Sequence, residues 1–162
     1  MKRGAVLFPI LLLVSGCDVP GTSQYAAHNS IRALLKDPDS AMFQDDRVIT
    51  GGTVCGEVNA KNSLGGYIGF RPYIFSDGQS MIDQGEPDFS ALVRSVDMAL
   101  QDEAYFHQQF AAAFSECDFI KTYKKICGIP HPADSPQMAK RCQWVEDGDR
   151  GIKALKDDLA RF

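Results

Sequence analysis

The chain has 162 residues, a length that suits one domain with a real hydrophobic core. It carries 17 basic and 21 acidic side chains, a formal net charge of −4, and no basic stripe along any segment. This mildly acidic balance argues against nucleic-acid binding. The sequence shows no internal repeat, no low-complexity tract and no second domain.

The first 17 residues have the features of a secretory signal. Lys2 and Arg3 precede a short apolar run over 5–14, and small residues lead up to Cys17. A membrane-spanning helix would need about 20 apolar residues, roughly twice this run. Residues 14–17, Val-Ser-Gly-Cys, resemble the lipobox of bacterial lipoproteins, whose cysteine is diacylated, becomes the N-terminus and is then usually acylated again. The resemblance implies a signal peptide over 1–16 and lipidation of Cys17. An ordinary secretory signal, with Cys17 in a disulfide, is the alternative.

Asp18 bears on which membrane holds the protein. An aspartate after the lipidated cysteine resembles the inner-membrane retention signal of enterobacterial lipoproteins. We therefore expect an anchor on the periplasmic face of the inner membrane, with the outer membrane as the alternative. Cleavage leaves 146 residues and removes two cations, so the mature net charge becomes −6. Residues 17–22 form a linker of at most about 3.6 Å per residue, which keeps the domain over 23–162 close to the lipid headgroups.

The sequence predicts one helix followed by strands in its first half. Thr22 or Ser23 can cap a helix whose apolar residues share a face, and Asp37-Pro38 ends it. Strand signals follow at 47–50, 53–60, 67–75 and 79–83, separated by Gly51-Gly52, a polar loop and Asp77-Gly78. We expect an antiparallel meander of about four strands.

The second half reads as helical. Asp88 can cap an apolar-periodic run that is one long helix or two helices broken near Asp102, and Gly128 closes it. Ser135 caps a shorter helix, and Asp149 opens a final one that carries Ile152, Leu155 and Leu159. The predicted fold is α+β, with an N-terminal helix, the meander, and C-terminal helices packed on one face.

Four cysteines remain after Cys17 is assigned to lipid, namely Cys55, Cys117, Cys127 and Cys142. An even number in an oxidising compartment predicts two disulfides. Cys117 and Cys127 lie ten residues apart in a predicted helix, roughly 15 Å, whereas a disulfide needs Cα atoms within about 7 Å. Pairing these two is therefore disfavoured, and two pairings stay open.

Two stretches carry a second resemblance. Residues 35–43 and the hairpin over 54–70 resemble a small family of secreted or lipid-anchored proteins of bacteria and their phages, with the patterns LKDPxSAxF and VCGxVNAKNxxGGYxGF. The likeness covers roughly 31–117, and the family has no assigned activity. Its later cysteine lies in an aromatic helical segment, as Cys117 does, and this favours Cys55–Cys117. We therefore expect Cys55–Cys117 and Cys127–Cys142, the first joining sheet to helix and the second closing a Pro-rich loop.

The hairpin also holds the candidate binding residues, Glu57, Asn59, Lys61, Asn62, Tyr67 and Arg71. A carboxylate, an amide and a lysine on one face could hold a ligand or perform acid–base chemistry. The structural interpretation is stronger, because Glu57 can pair with Arg71 across the strands and the asparagines can satisfy loop backbone groups. The hydrolase hypothesis requires Glu57, Asn59 and Lys61 to line a concave pocket and fails if local hydrogen bonds hold them.

No catalytic residue, metal site or cofactor is expected. The sequence has no CxxC or HxxxH spacing, no GxSxG or HExxH motif, no P-loop and no Rossmann fingerprint. His28 and His107 fall in helices, and His131 lies between prolines in a loop expected to be solvated. We expect a membrane-anchored envelope lipoprotein whose non-enzymatic domain binds an envelope protein. A small-ligand binder or hydrolase that uses Glu57, Asn59 and Lys61 is the alternative.

Overall fold

A computed structural model describes residues 19–98 and 102–148, together with 151, 154, 157, 158, 160 and 161. The predicted signal over 1–16, Cys17 and Asp18 lie outside the described residues. So do Asp149, Ile152, Leu155 and Leu159 of the predicted final helix, although its described residues 151, 154, 157 and 158 are helical.

The fold is α+β. In the described ranges 19–98 and 102–148, helix α1 (Ser23–Arg32) and a short 3-10 turn (Pro38–Ser40) precede four strands, and three helices of 10 to 25 residues follow them. The strands are β1 (Met42–Val48), β2 (Val54–Asn59), β3 (Arg71–Ser76) and β4 (Gln79–Ile82), and the helices are α2 (Phe89–Met98), α3 (Glu103–Cys127) and α4 (Pro136–Glu146). The strands form one antiparallel meander in the order β1-β2-β3-β4.

The ends of the helices confirm the capping signals. Thr22 Oγ1 accepts a hydrogen bond from the Tyr25 amide, and Ser135 Oγ accepts one from the Met138 amide. Asp102 caps α3, so the predicted long helical run is two helices. Gly128 ends α3 in the left-handed conformation with φ of 68°, which glycine adopts without a Cβ clash.

The sheet separates two layers of core. Val54 and Val58 of β2 and Tyr73 of β3 face α1, where they pack against Ala27 and Ile31. The alternate residues face α3, and they include Cys55 and Ile74, which pack with Phe119, Tyr123 and Cys127. A third cluster joins α2, α3 and α4 beyond the sheet. The C-terminal helices therefore stack on one face of the sheet, as predicted, and α1 covers the other.

The disulfide pairing expected from the sequence is wrong. Cys55 bonds to Cys127, and Cys117 bonds to Cys142. Ten residues of helix turn one cysteine about 80° away from the other. Cys127 therefore faces the sheet with Tyr123, while Cys117 faces α4 with Ile120. The resemblance favoured Cys117 as the partner of Cys55, whereas Cys127 of the same helix forms that bond.

A buried polar cluster explains an irregularity in β1. Asp45 adopts a φ of 54° at a bulge between Gln44 and Arg47, which turns the next carboxylate toward α1. Asp46 there accepts a 2.6 Å hydrogen bond from the Tyr73 hydroxyl and lies 2.5 Å from His28 Nε2.

Gly56 lies directly beneath this cluster. A Cβ at this position would overlap the Asp46 carboxylate and lie 2.9 Å from the Tyr73 ring. The φ of Gly56 is not positive, so the backbone conformation does not require glycine at this position. The close packing of Asp46 and Tyr73 does.

None of the described helices is long and apolar enough to cross a membrane.

Replacing Gly56 with alanine should lower the free energy of unfolding by about 1–3 kcal/mol, because overpacking displaces buried neighbours. Gly66→Ala is the matched control, since its nearest neighbour would be 3.8 Å away and its φ is not positive. Urea unfolding of both variants checks this. Equal stability of the two variants would contradict the packing role of Gly56.

Candidate functional site

The structure divides the predicted hairpin residues between different places. Lys61, Asn62 and Arg71 line a cleft of about 250 Å³ between the end of α1 and the loop after β2. Glu57 and Asn59 do not line it. Tyr67 lies at its margin, where its ring is 5.7 Å from the Lys61 ammonium and its hydroxyl is 3.4 Å from the Ser40 carbonyl.

Strand register is the reason for this division. Val58 stands opposite Arg71, on the α1 face, whereas Glu57 stands opposite Pro72, on the α3 face. The expected pair of Glu57 with Arg71 therefore does not form, and Glu57 instead accepts a 2.7 Å hydrogen bond from Gln44. Asn59 is buried and accepts a 3.1 Å hydrogen bond from the Gly69 amide. Local hydrogen bonds hold both side chains, so these residues do not assemble an acid–base site.

Asn62 shapes the loop beside the cleft. Its side-chain oxygen accepts hydrogen bonds from the amides of Leu64 and Gly66, at 2.9 and 3.1 Å. The loop then presents Leu64 to solvent with 94 % of its surface exposed, and Ile68 is half exposed. The Asn62 side chain thus satisfies the backbone amides of its own loop, and the loop that it stabilises exposes apolar side chains.

The charge of the cleft is opposite to that of the chain. Lys36, Lys61 and Arg71 line it, and no aspartate or glutamate stands among the described residues that do so. Leu34 and Ile68 supply an apolar wall. A cavity with three cations in a chain of net charge −4 favours an anionic ligand that also carries an apolar group.

A second groove of about 250 Å³ adjoins this cleft. It shares Leu34, Ile82 and Gln84 with the cleft and runs between β4 and α3, where Ser115, Glu116, Asp118 and Phe119 form its wall. The two cavities are therefore adjacent along the end of β4, with cations at one end and carboxyl groups at the other.

Beside this groove lies a buried cluster that the sequence did not reveal, made of Asp83, Glu116 and His131. One ligand atom from each residue lies within 4.8 Å of the others. His131 is only 4 % exposed, so its expected solvation is wrong. The imidazole packs edge-on against Phe119 and Tyr123. Sequence spacing could not group these residues, because they come from the end of β4, the middle of α3 and the loop before α4.

Pro72 helps to place Asp83. The Asp83 amide donates to the Pro72 carbonyl at 2.9 Å, but proline has no amide hydrogen to return the bond. The Asp83 carbonyl instead accepts a 3.4 Å hydrogen bond from Arg71. The sheet ladder therefore ends at Asp83, and its side chain meets α3.

The two carboxyl groups of the cluster have pKa values displaced in opposite directions. Burial and the adjacent Asp83 raise the pKa of Glu116 to about 8. Burial also acts to raise the pKa of Asp83, but the nearby His131 imidazole, the nearby Glu116 carboxyl and the hydrogen bond from the Gly85 amide outweigh it and lower that pKa to about 2. At neutral pH the pair therefore holds one proton, on Glu116, and one negative charge, on Asp83.

The imidazole has a defined tautomer in this arrangement. The Ala133 amide donates to His131 Nδ1 at 3.1 Å, so in the neutral ring the hydrogen is on Nε2. That nitrogen lies 3.3 Å from Asp83 Oδ2 but has no hydrogen bond of acceptable geometry among the described residues. The Gly85 amide holds the Asp83 carboxylate, and the Gln84 amide holds the Glu116 carboxyl group. The cluster can therefore share a proton or ligate an ion.

No family model, no curated protein and no solved structure matches this chain.

The free energy of unfolding should fall as pH rises from about 4.5 to about 8, because the folded chain retains a proton on Glu116 that the unfolded chain releases. Asp83 acts in the opposite sense, and its contribution is lost only as pH falls from about 3.8 toward about 2. Glu116→Gln should flatten the upper slope. Urea unfolding across this range, in buffer with a chelator, measures it.

Glu86→Gln, at an exposed neighbouring position, is the matched control and should keep the slope of the unchanged protein. If Glu116→Gln keeps the same slope, the assigned proton is not on Glu116.

Proposed function

We propose that this chain is a lipid-anchored protein of the bacterial envelope, tethered through Cys17, whose domain binds an acidic, partly apolar segment of another envelope protein. The basic start, the short apolar run and the lipobox-like residues 14–17 support the tether. Two or more acyl chains hold a protein firmly, since each buried methylene contributes about 0.8 kcal/mol. Asp18 supports the periplasmic face of the inner membrane.

The cleft beside the loop after β2 is the observation that carries the binding proposal. It places Lys36, Lys61 and Arg71 around an apolar wall, with no carboxylate among the described lining residues. The exposed side chains of Leu64, Tyr67 and Phe70 extend the apolar surface along the same loop. Exposed apolar groups concentrated on one loop are typical of an interaction surface.

The position of the cleft suits a tethered protein. Helix α1 begins at Ser23, a few residues after the proposed lipid, and has ten residues, about 15 Å in length. Leu34 and Lys36, which line the cleft, follow its C-terminal end. The described chain therefore enters α1 at the end opposite to the cleft, an arrangement that leaves the cleft open to a partner of a tethered protein.

A small anionic ligand is the second candidate, because Lys61 and Arg71 approach the same cavity. Its volume of about 250 Å³ is below the range of about 300–1,000 Å³ typical of small-molecule pockets. A side chain or short segment of a larger partner fits this size better. Catalysis by Glu57 receives no support from its hydrogen bond to Gln44 on the other face of the sheet.

Charge reversal at Lys61 should abolish partner binding while the domain stays folded. A photocrosslinking residue at Ser63, on the exposed rim of the cleft, should capture one envelope protein in native membranes through an acidic segment, and Lys61→Glu should remove this adduct. Lys125→Glu is the matched control, since it makes the same change of charge on an exposed turn of α3. Raising the salt concentration should weaken the adduct.

An adduct that survives Lys61→Glu, or that forms equally from a crosslinker at Gln137 on α4, would contradict the proposal. The intact mass of the same preparation tests the tether. A first residue other than an acylated Cys17 would refute it.

A further inference from the structure

We propose that Asp83, Glu116 and His131 form a binding site for a divalent transition metal ion, with Zn²⁺ as the best match to the donor set. None of the three residues lines the cation-lined cleft, and the site does not depend on the proposed partner. Two carboxylates and an imidazole are ligands that Zn²⁺ uses in proteins.

The spacing of the ligand atoms fits a metal. His131 Nε2 and Asp83 Oδ2 are 3.3 Å apart, and all three ligand atoms lie within 4.8 Å of one another. Ligands at about 2.0–2.1 Å from a tetrahedral zinc ion are themselves roughly 3.3 Å apart. Small side-chain movements would therefore bring the third ligand into place.

Two buried atoms in the cluster have no hydrogen bond within the described part of the chain. They are His131 Nε2 and Glu116 Oε1, and each belongs to a residue that is 4 % exposed. Buried polar atoms of this kind normally have a partner. His131 Nε2 lies 3.3 Å from Asp83 Oδ2 without the alignment of a hydrogen bond. Two ligands of the same metal ion have this kind of spacing.

The charge of the cluster points the same way. Two carboxyl groups are buried side by side. A divalent ion offsets the negative charge that both would carry. Arg71 is the cation that acts on Glu116 from nearby, but its guanidinium bonds to the Asp83 carbonyl.

The surroundings hold the three side chains in place. The Gly85 amide donates to Asp83 Oδ1 at 2.5 Å, and the Gln84 amide donates to Glu116 Oε2 at 3.0 Å. Phe119 and Tyr123 pack against the imidazole. Groups that orient ligands in this way are a regular part of metal sites.

Three protein ligands leave one tetrahedral position for water or another ligand. Glu116 lines the groove between β4 and α3, so the cluster lies directly beside that groove. This arrangement is that of a metal site with an open position rather than a closed structural one.

Binding through Nε2 requires one rearrangement. A neutral imidazole that ligates through Nε2 carries its hydrogen on Nδ1, where it meets the Ala133 amide hydrogen. The hydrogen bond from the Ala133 amide to Nδ1 must then break. This change gives a spectroscopic signature that general surface binding of zinc would not produce.

Titration of the full mature chain, stripped with a chelator, with ZnCl₂ tests the proposal by calorimetry and by ¹⁵N NMR of the histidine rings. We expect one zinc ion per chain, a switch of the His131 hydrogen from Nε2 to Nδ1, and a shifted Ala133 amide resonance. Glu116→Gln should weaken zinc binding more than about 100-fold, beyond the 10–100-fold typical of losing a group that only orients a ligand.

Glu86→Gln should leave the affinity unchanged, and so should His107→Ala, which removes the exposed histidine that faces Glu103. The NMR measurement uses the unmutated protein, so it decides the matter even if Glu116→Gln fails to fold. An Nε2 hydrogen that persists on His131 in excess zinc would overturn the proposal. Loss of zinc binding in His107→Ala alone would do so as well.

Discussion

Helix α3 is fixed on two sides at once, and the rest of the structure depends on that constraint. Its two cysteines lie about 15 Å apart along the axis and point in different directions, so one bonds to the sheet and the other to α4. Each disulfide joins residues distant in sequence, by 72 and 25 positions, and contributes about 2–5 kcal/mol by restricting the unfolded chain. A helix with one cysteine pair could rotate or slide against the sheet, whereas two pairs define both its height and its rotation.

This constraint also builds the polar cluster. Glu116 directly precedes a bonded cysteine, and His131 follows Cys127 by four residues, so both disulfides lie within a few residues of the side chains that meet Asp83. The sheet contributes Asp83 because the ladder ends at Pro72, which lacks an amide hydrogen. Two carboxyl groups are costly to bury together, and proton sharing or a cation is the physical means of keeping them there. Asp83, Glu116 and His131 do not line the cation-lined cleft, but Arg71 joins the two places because it lines the cleft and donates to the Asp83 carbonyl.

Much of the fold could be predicted from local signals. Caps and a glycine located the starts of α1 and α4 and the end of α3, and alternation with turn signals gave three of the four strands. The predicted end of the first helix at Asp37-Pro38 was wrong, because α1 ends at Arg32. Strand β1 was predicted to begin at residue 47 but begins at Met42, because an exposed, mostly polar edge strand with a bulge lacks an apolar pattern. The hairpin residues were correctly placed near the sheet, but their division between its two faces depends on a register that the sequence does not encode locally. The disulfide pairing and the Asp83 cluster depend on the rotation of α3, which no local pattern specifies.

The most direct test is a non-reducing tryptic map of the native protein, because trypsin separates the four cysteines into different peptides. The structure predicts that peptide 48–61 is linked to 126–140 and that peptide 95–121 is linked to 142–150. A link between 48–61 and 95–121 would contradict it. That result would mean that α3 has a different rotation relative to the sheet. Glu116 and His131 would then not be expected to lie next to Asp83.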